Sequence, residues 1–306
     1  MNYNGKLITI LGPTATGKTA LAAALAAKLD AEIISADSRQ VYRSMDLGTG
    51  KDLGDYIVDG KHIPYYLIDI AEPGYKYNVF EYQRDFHSVY ESIVSRRVQP
   101  ILCGGTGLYI EAVLKGYQMT DVPVNQKLRD ELEQYSLEQL TQMLGELKPL
   151  HNTSDTDTKK RAIRGIEIAM YQRDNKEQLP DRKPIDSVIF GINTPREIVI
   201  DRINKRLVQR LNDGMIDEVK MLLERGIAPQ DLIYYGLEYK FVTQFLTGEI
   251  SYDFMVEHLA IAIRQFAKRQ MTWFRHMERN GFNINWIDGT LPLEQKVDAV
   301  LQVLNK

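Results

Sequence analysis

A single cysteine in 306 residues, Cys103, rules out an internal disulfide. The five histidines are scattered, so no Cys/His group has the close spacing of a zinc site. Both absences fit a reducing, cytoplasmic compartment and make a structural zinc unexpected. Long apolar runs are missing too: Leu21–Ala27 has seven residues where a bilayer span needs about 20. The first residues, MNYNGKLITILG, run directly into a strand-like segment, so neither a leader nor a membrane anchor is expected. Charge of one sign is also lacking. The net value is −3, from 38 Lys and Arg against 41 Asp and Glu, and gives no overall sign of a polyanionic partner. No fixed-period repeat or low-complexity tract interrupts the chain.

What is present is ordinary core material, 44% hydrophobic and 26% charged, enough for one or two globular domains. The apolar runs Lys6–Leu11, Ala31–Ala36, Tyr65–Ile70 and Pro100–Cys103 read as strands, and Lys18–Leu29 and Val79–Ser95 as helices. This alternation implies an α/β fold with a doubly wound parallel sheet. From about residue 119 the pattern turns helical and polar, at Gln126–Tyr135, Leu137–Glu146 and Thr158–Gln172. A strand-like run returns at Ser187–Ile192, so residues 119–186 are expected to form a helical insertion between core segments 1–118 and 187–306. From Arg196 onward the chain reads as mostly helical.

The chemistry begins at Gly12-Pro-Thr-Ala-Thr-Gly-Lys18-Thr19, a G-x-x-x-x-G-K-[ST] loop set between a strand and a helix. In such a loop the glycines let backbone N–H groups turn toward phosphate oxygens, and the helix N-terminus adds positive potential. Lys18 supplies a full charge and Thr19 a hydroxyl for Mg²⁺. The loop alone does not say which phosphate compound it holds. An ATP-hydrolysing enzyme usually carries an acidic residue at the end of a core strand, yet Pro100–Cys103 runs into Gly104-Gly105-Thr106. The nearby acidic strand end is Asp37, which could serve a metal's water shell, act as a general base, or cap the turn Ser38-Arg39-Gln40.

Read together, six segments resemble the tRNA dimethylallyltransferases, also called tRNA isopentenyltransferases. They are GPTATGKT at 12–19, ADSRQVY at 36–42, MDLGTGK at 45–51, LIDI at 67–70, GGTGLYI at 104–110 and KRQMTWFR at 268–275. The resemblance implies a P-loop core with a helical insertion and transfer of a dimethylallyl group from dimethylallyl diphosphate to N6 of adenosine 37 in tRNA. On that reading Gly12, Thr14, Ala15, Thr16, Gly17, Lys18 and Thr19 cradle a diphosphate that leaves, with Mg²⁺ at Thr19, and ATP is not a substrate. It also implies that Asp37 is the base, that Thr106 lies between amine and leaving group, and that Arg206 stabilises the departing charge. The tRNA contacts it implies are Asp37, Ser38, Arg39 and Gln40, then Lys160, Arg161 and Arg164 in the insertion. Lys268, Arg269, Gln270, Trp273 and Arg275 complete them near the C-terminus.

Charge distribution agrees with an RNA partner where net charge did not. Residues 158–210 hold thirteen Lys and Arg against seven Asp and Glu, and residues 264–279 hold five against one. At helical spacing Arg264, Lys268, Arg275 and Arg279 share one face, opposite Leu259, Ala262, Phe266, Trp273 and Met277. Departures from the family pattern are Tyr65-Tyr66 for two histidines, Gly165 for alanine, Arg210 for methionine, and Gly236-Leu237 where Gly-Tyr is common. The chain ends at Lys306 without the zinc finger of eukaryotic relatives, which implies a bacterial-type enzyme. A substrate the size of tRNA makes a monomer sufficient.

Overall fold

A computed structural model describes residues 6–119, 121–148, 150, 156–175 and 182–305. In chain order the strands are β1 (Leu7–Leu11), β2 (Glu32–Ala36), β3 (Ile57–Val58), β4 (Lys61–His62), β5 (Tyr65–Tyr66), β6 (Pro100–Gly104), β7 (Ser187–Asn193) and β8 (Ile284–Asp288). The helices are α1 (Lys18–Leu29), α2 (Val79–Ser95), α3 (Gly107–Lys115), α4 (Gln126–Leu132), α5 (Leu137–Leu147), α6 (Lys159–Asp174), α7 (Arg196–Asn212), α8 (Met215–Glu224), α9 (Pro229–Tyr235), α10 (Leu237–Leu246), α11 (Tyr252–Arg279) and α12 (Leu293–Leu304). Among the described residues no helix is long and apolar enough to cross a membrane.

Six strands form one parallel sheet in the order β5-β2-β6-β1-β7-β8. The central strands β1, β2 and β6 are buried at every position, as continuous apolar runs covered on both faces should be. Register decides what meets at their C-terminal ends, because Leu11 of β1 and Ala36 of β2 both lie opposite Gly104 of β6. A Cβ on Gly104 would come within 2.2 Å of the Ala36 carbonyl, so only glycine permits this approach. The P-loop, Asp37 and the Gly105-Thr106 turn therefore leave the sheet side by side, at the edge where open α/β sheets bind ligands.

The run Tyr65–Ile70 is a strand only at Tyr65–Tyr66, which corrects the sequence reading, since Leu67 and Asp69 adopt left-handed backbone (φ 62° and 56°) that cannot continue a ladder. The stretch after Arg196 is mostly helical as expected, with one strand, Ile284–Asp288, added parallel to β7 as the sheet's edge. Trp286 of that strand covers Gly191, where a Cβ would approach the indole to 2.6 Å.

Residues 1–115 and 184–306 form one compact unit and residues 116–183 a second. The second packs α4, α5 and α6 around Leu132, Leu140, Leu144, Ile163 and Ile166. Gly165 faces α5 closely, a Cβ there falling 2.9 Å from the Leu144 side chain. Within this unit buried Glu167 accepts from Arg129 and Arg164 and from the Asn125 N–H at 2.7 Å. Burial alone would raise its pKa, but these donors outweigh it and hold the carboxyl below the usual range.

The segments MDLGTGK and LIDI are joined by one buried cation. The Lys51 ammonium reaches the Tyr42 carbonyl (2.7 Å), Asp46 (2.7 Å) and Asp69 (2.5 Å), and its side chain is wholly inaccessible. Glu218 of α8 braces the same loop by accepting from the N–H groups of Asp46, Leu47 and Gly48 and from the Tyr239 hydroxyl. Lys51→Met is expected to destabilise the protein by about 3 kcal/mol, the lower end for a broken buried pair because both carboxylates reach water. Chemical denaturation checks this, and a loss below about 1 kcal/mol would show the pair contributes little.

Candidate active site

The cradle lies between β1 and α1. Ala15 and Gly17 take left-handed backbone (φ 62° and 81°), and the Thr16 hydroxyl donates to the Pro13 carbonyl at 2.8 Å. A Cβ on Gly12 would crowd that hydroxyl at 2.9 Å. α1 starts at Lys18 without a side-chain cap, so its first N–H groups remain directed at whatever anion enters. Burial pushes the Lys18 ammonium below its usual pKa, with the Asp37 carboxylate opposing the shift. Thr14 to Thr19 line one end of an open cleft of about 850 Å³.

Asp37 follows β2 directly. Its Oδ1 accepts from the Arg39 and Gln40 N–H groups at 2.9 and 3.3 Å, and its Oδ2 has no hydrogen-bond partner among the described residues. The cap and base readings are thus compatible, one oxygen holding the turn and the other left for a proton. Thr106, after β6, accepts from the Ser38 N–H at 3.0 Å, and its own N–H donates to Ala36 (3.1 Å). Gln40 donates its side-chain amide to the Gly50 carbonyl (3.0 Å), linking this turn to the next wall of the cleft.

α11 corrects the sequence reading of its faces. Its buried side is Met255, Leu259, Ile263, Ala267, Gln270, Phe274 and Met277, while Ala262, Phe266 and Trp273 are only half-buried. Lys268, Arg269, Arg275 and Arg279 are exposed, whereas Arg264 is half-buried and bonds the Ala260 carbonyl. Gln270, expected among the RNA contacts, is buried and faces the P-loop. Its Oε1 accepts from the Thr14 N–H of the P-loop (2.8 Å), and its Nε2 donates to the Gly105 carbonyl (2.9 Å). Trp273 lies over Gly107, where a Cβ would meet the indole at 2.2 Å, and donates to Glu111 at 3.0 Å. The segments GGTGLYI and KRQMTWFR, far apart in sequence, therefore form one assembly that fixes the P-loop. Gln270→Ala is expected to raise the KM of the phosphate-bearing substrate several-fold with RNA affinity unchanged, and steady-state kinetics on both substrates check it.

The facing wall comes from α7 and α10. Arg206 pairs with Asp52 at 2.5 Å, and Arg202, Lys205, Arg210, Arg269 and Lys296 also line the cleft. With Lys18 and Arg39 these are eight cations against the four acids Asp37, Asp52, Asp55 and Glu238, a field suited to a polyanion. Asp52 and Glu238 were not singled out from sequence, and Arg210 was noted only as a departure from the family pattern. The only other signals are that Asp52 follows the GTGK segment directly and that Glu238 follows the Gly236-Leu237 departure.

Glu238 is buried, and burial pushes its carboxyl up to about 7 although Arg210 and Arg206 oppose the shift. The folded protein then binds a proton that the unfolded chain has released, so stability contributed by this group declines as pH rises from about 4.5 to about 7. Glu238→Gln, which cannot ionise, is expected to gain on the wild type in melting temperature between about pH 5 and pH 8. A difference that stays constant across that range would contradict the burial of an ionisable carboxyl.

Among the described residues no group of three or more His, Cys, Asp or Glu could hold a metal ion by itself. The donors present, the Thr19 hydroxyl beside a phosphate cradle, fit a divalent cation whose other ligands are phosphate oxygens and water. In the second unit, Lys160 and Arg161 are exposed at the start of α6, with Arg161 paired to Asp157. Arg164 is half-buried and committed to Glu167 and the Val122 carbonyl (2.9 Å).

A family model described as IPP transferase matches residues 40–277, and one described as isopentenyl transferase matches residues 5–69. The chain is 60% identical over 300 residues to tRNA dimethylallyltransferase 1 of Parabacteroides distasonis, covering 98% of both chains. It is 58% identical over 300 residues to tRNA dimethylallyltransferase 2 of Bacteroides fragilis, again covering 98% of both. The crystal structure of a tRNA isopentenylpyrophosphate transferase from Bacillus halodurans aligns with a TM-score of 0.72 and 32% identity, over 99% of this chain and 96% of that one.

Proposed function

The chain belongs to the tRNA dimethylallyltransferase family, and we propose that its P-loop holds the diphosphate of dimethylallyl diphosphate while Asp37 receives the proton of the acceptor amine. The reaction transfers a dimethylallyl group to N6 of adenosine 37 in tRNA. The observation that carries the site reading is the level ending of β1, β2 and β6, which sets the cradle beside Asp37 and Thr106.

The exocyclic amine of adenine is a poor nucleophile because its lone pair is delocalised into the ring. As the N6–C1 bond forms and the C1–O bond to diphosphate breaks, a proton must leave N6, and Asp37 Oδ2 is the acceptor. Thr106, held against Ser38, positions the amine between Asp37 and the leaving oxygen. The departing diphosphate gathers negative charge, which the loop N–H groups, Lys18 and Arg206 stabilise from fixed positions. The family's divalent metal is read as Mg²⁺, held by Thr19 and phosphate oxygens, and supplies further charge neutralisation when bound.

The tRNA anticodon stem-loop is read as contacting Ser38, Arg39 and Gln40 near Asp37, Lys268, Arg269 and Arg275 on α11, and Lys160 and Arg161 on α6. Adenosine 37 must leave its stack to reach a cleft, and a loop nucleotide is cheaper to extrude than a paired one. The enzyme is read as a cytoplasmic monomer. Inhibition kinetics test the donor assignment: inorganic pyrophosphate should compete with dimethylallyl diphosphate, and ATP at the same concentration should not. ATP turnover without RNA would favour a small-molecule kinase instead.

A further inference from the structure

We infer that Arg210 is a second cation for the diphosphate, acting beside Arg206, with Asp52 as the counterion that both guanidiniums exchange for phosphate. The inference rests on the proposed donor site and extends it to a residue outside the family pattern, since methionine is usual at this position.

Arg202, Arg206 and Arg210 recur every fourth residue on α7, and all three line the cleft. Arg210 differs from the other two in burial. Its side chain is only 14% exposed, and its Nη2 is buried with no hydrogen-bond partner among the described residues. The nearest carboxylate oxygen, Asp52 Oδ1, is 3.9 Å away, while the other oxygen of Asp52 is bonded to Arg206 at 2.5 Å. Glu238 shares a small cavity with Arg210, Thr14 and Ala15, but no hydrogen bond joins the two charged groups. The surroundings are nonetheless built to admit the guanidinium. Gly50 takes φ +67°, and a Cβ there would fall 2.1 Å from Arg210 Nη2.

A buried guanidinium N–H without an acceptor is costly, so such a group is retained where an anion completes it. The open cleft that Arg210 lines together with Arg206 and the P-loop residues Thr14 to Thr19 makes a diphosphate oxygen the fitting anion. Asp52, between the two arginines, then neutralises them before the substrate arrives. Arg210 binds phosphate on this account; it takes no part in proton transfer.

The probe is inorganic pyrophosphate with Mg²⁺, titrated calorimetrically into wild type, Arg210→Met, Arg210→Lys, Asp52→Asn and Lys18→Ala. Arg210→Met should weaken pyrophosphate binding and raise the KM for dimethylallyl diphosphate about tenfold, as expected for one charge-assisted contact, with the KM for tRNA unchanged. Arg210→Lys should recover part of the loss, and Asp52→Asn should bind pyrophosphate more tightly than wild type. Pyrophosphate affinity within about twofold of wild type in folded Arg210→Met, a defect confined to tRNA, or weaker binding in Asp52→Asn would overturn the inference. Should Lys18→Ala also leave pyrophosphate affinity unchanged, the donor site itself would be at fault; a Lys18 effect without an Arg210 effect would reject Arg210 alone.

Discussion

Asparagine in place of Asp37 is expected to slow single-turnover dimethylallyl transfer at least ~10²-fold, the usual worth of a general base, while tRNA affinity is retained. Asparagine is the informative choice because Asp37 does two things. Its Oδ1 holds the Ser38-Arg39-Gln40 turn through two N–H bonds, and an asparagine carbonyl can still accept both. What asparagine cannot do is accept the proton that N6 must lose. Asp37→Ala removes the turn's anchor as well, so its larger defect should include weaker tRNA binding. Near-normal transfer by the asparagine variant would dismiss Asp37 as the base and leave only its role as a cap.

Arg206→Ala is expected to lower kcat/KM for the diphosphate donor by about 10²–10³-fold, comparable to removing one preorganised donor from a site of developing negative charge. The effect should fall mainly on kcat, because charge on the diphosphate grows as the C–O bond breaks. Arg206 is already drawn to Asp52, so the variant also leaves that carboxylate with only the more distant Arg210, 3.9 Å away, and adds to the loss. A defect seen only in tRNA affinity would reassign Arg206 to the RNA.

Local pattern carried much of the architecture. The bounds read from sequence for α1 and α2, Lys18–Leu29 and Val79–Ser95, coincide with those observed, because each begins after a turn and keeps helical periodicity throughout. The P-loop was legible from its motif between a strand and a helix and Asp37 as an acidic strand end, whereas the roles read for Asp37 and Thr106 came with the family resemblance. Features created by tertiary contact were not. β8 is a five-residue segment with asparagine and tryptophan among its members, and pairing with β7 makes it a strand. Gln270 read only as one of the RNA contacts that the family resemblance implies for a basic helix. Its two bonds, to Thr14 and Gly105, link positions 256 and 165 residues away and leave no trace in helical spacing. Arg210 stood out only as a departure from the family pattern, because nothing local to α7 reveals that Gly50 and Glu238 enclose it.

Whether one sheet edge joins a diphosphate-binding loop to a base serving an adenine amine is tested most directly by incubating the protein with Mg²⁺, isotopically labelled dimethylallyl diphosphate and unmodified tRNA bearing adenosine 37. The expected result is one pyrophosphate released per label incorporated, label on N6 of that nucleotide, none in tRNA with guanosine at position 37, and no requirement for ATP. Label in free AMP as readily as in tRNA, or pyrophosphate release without labelled RNA, would contradict it.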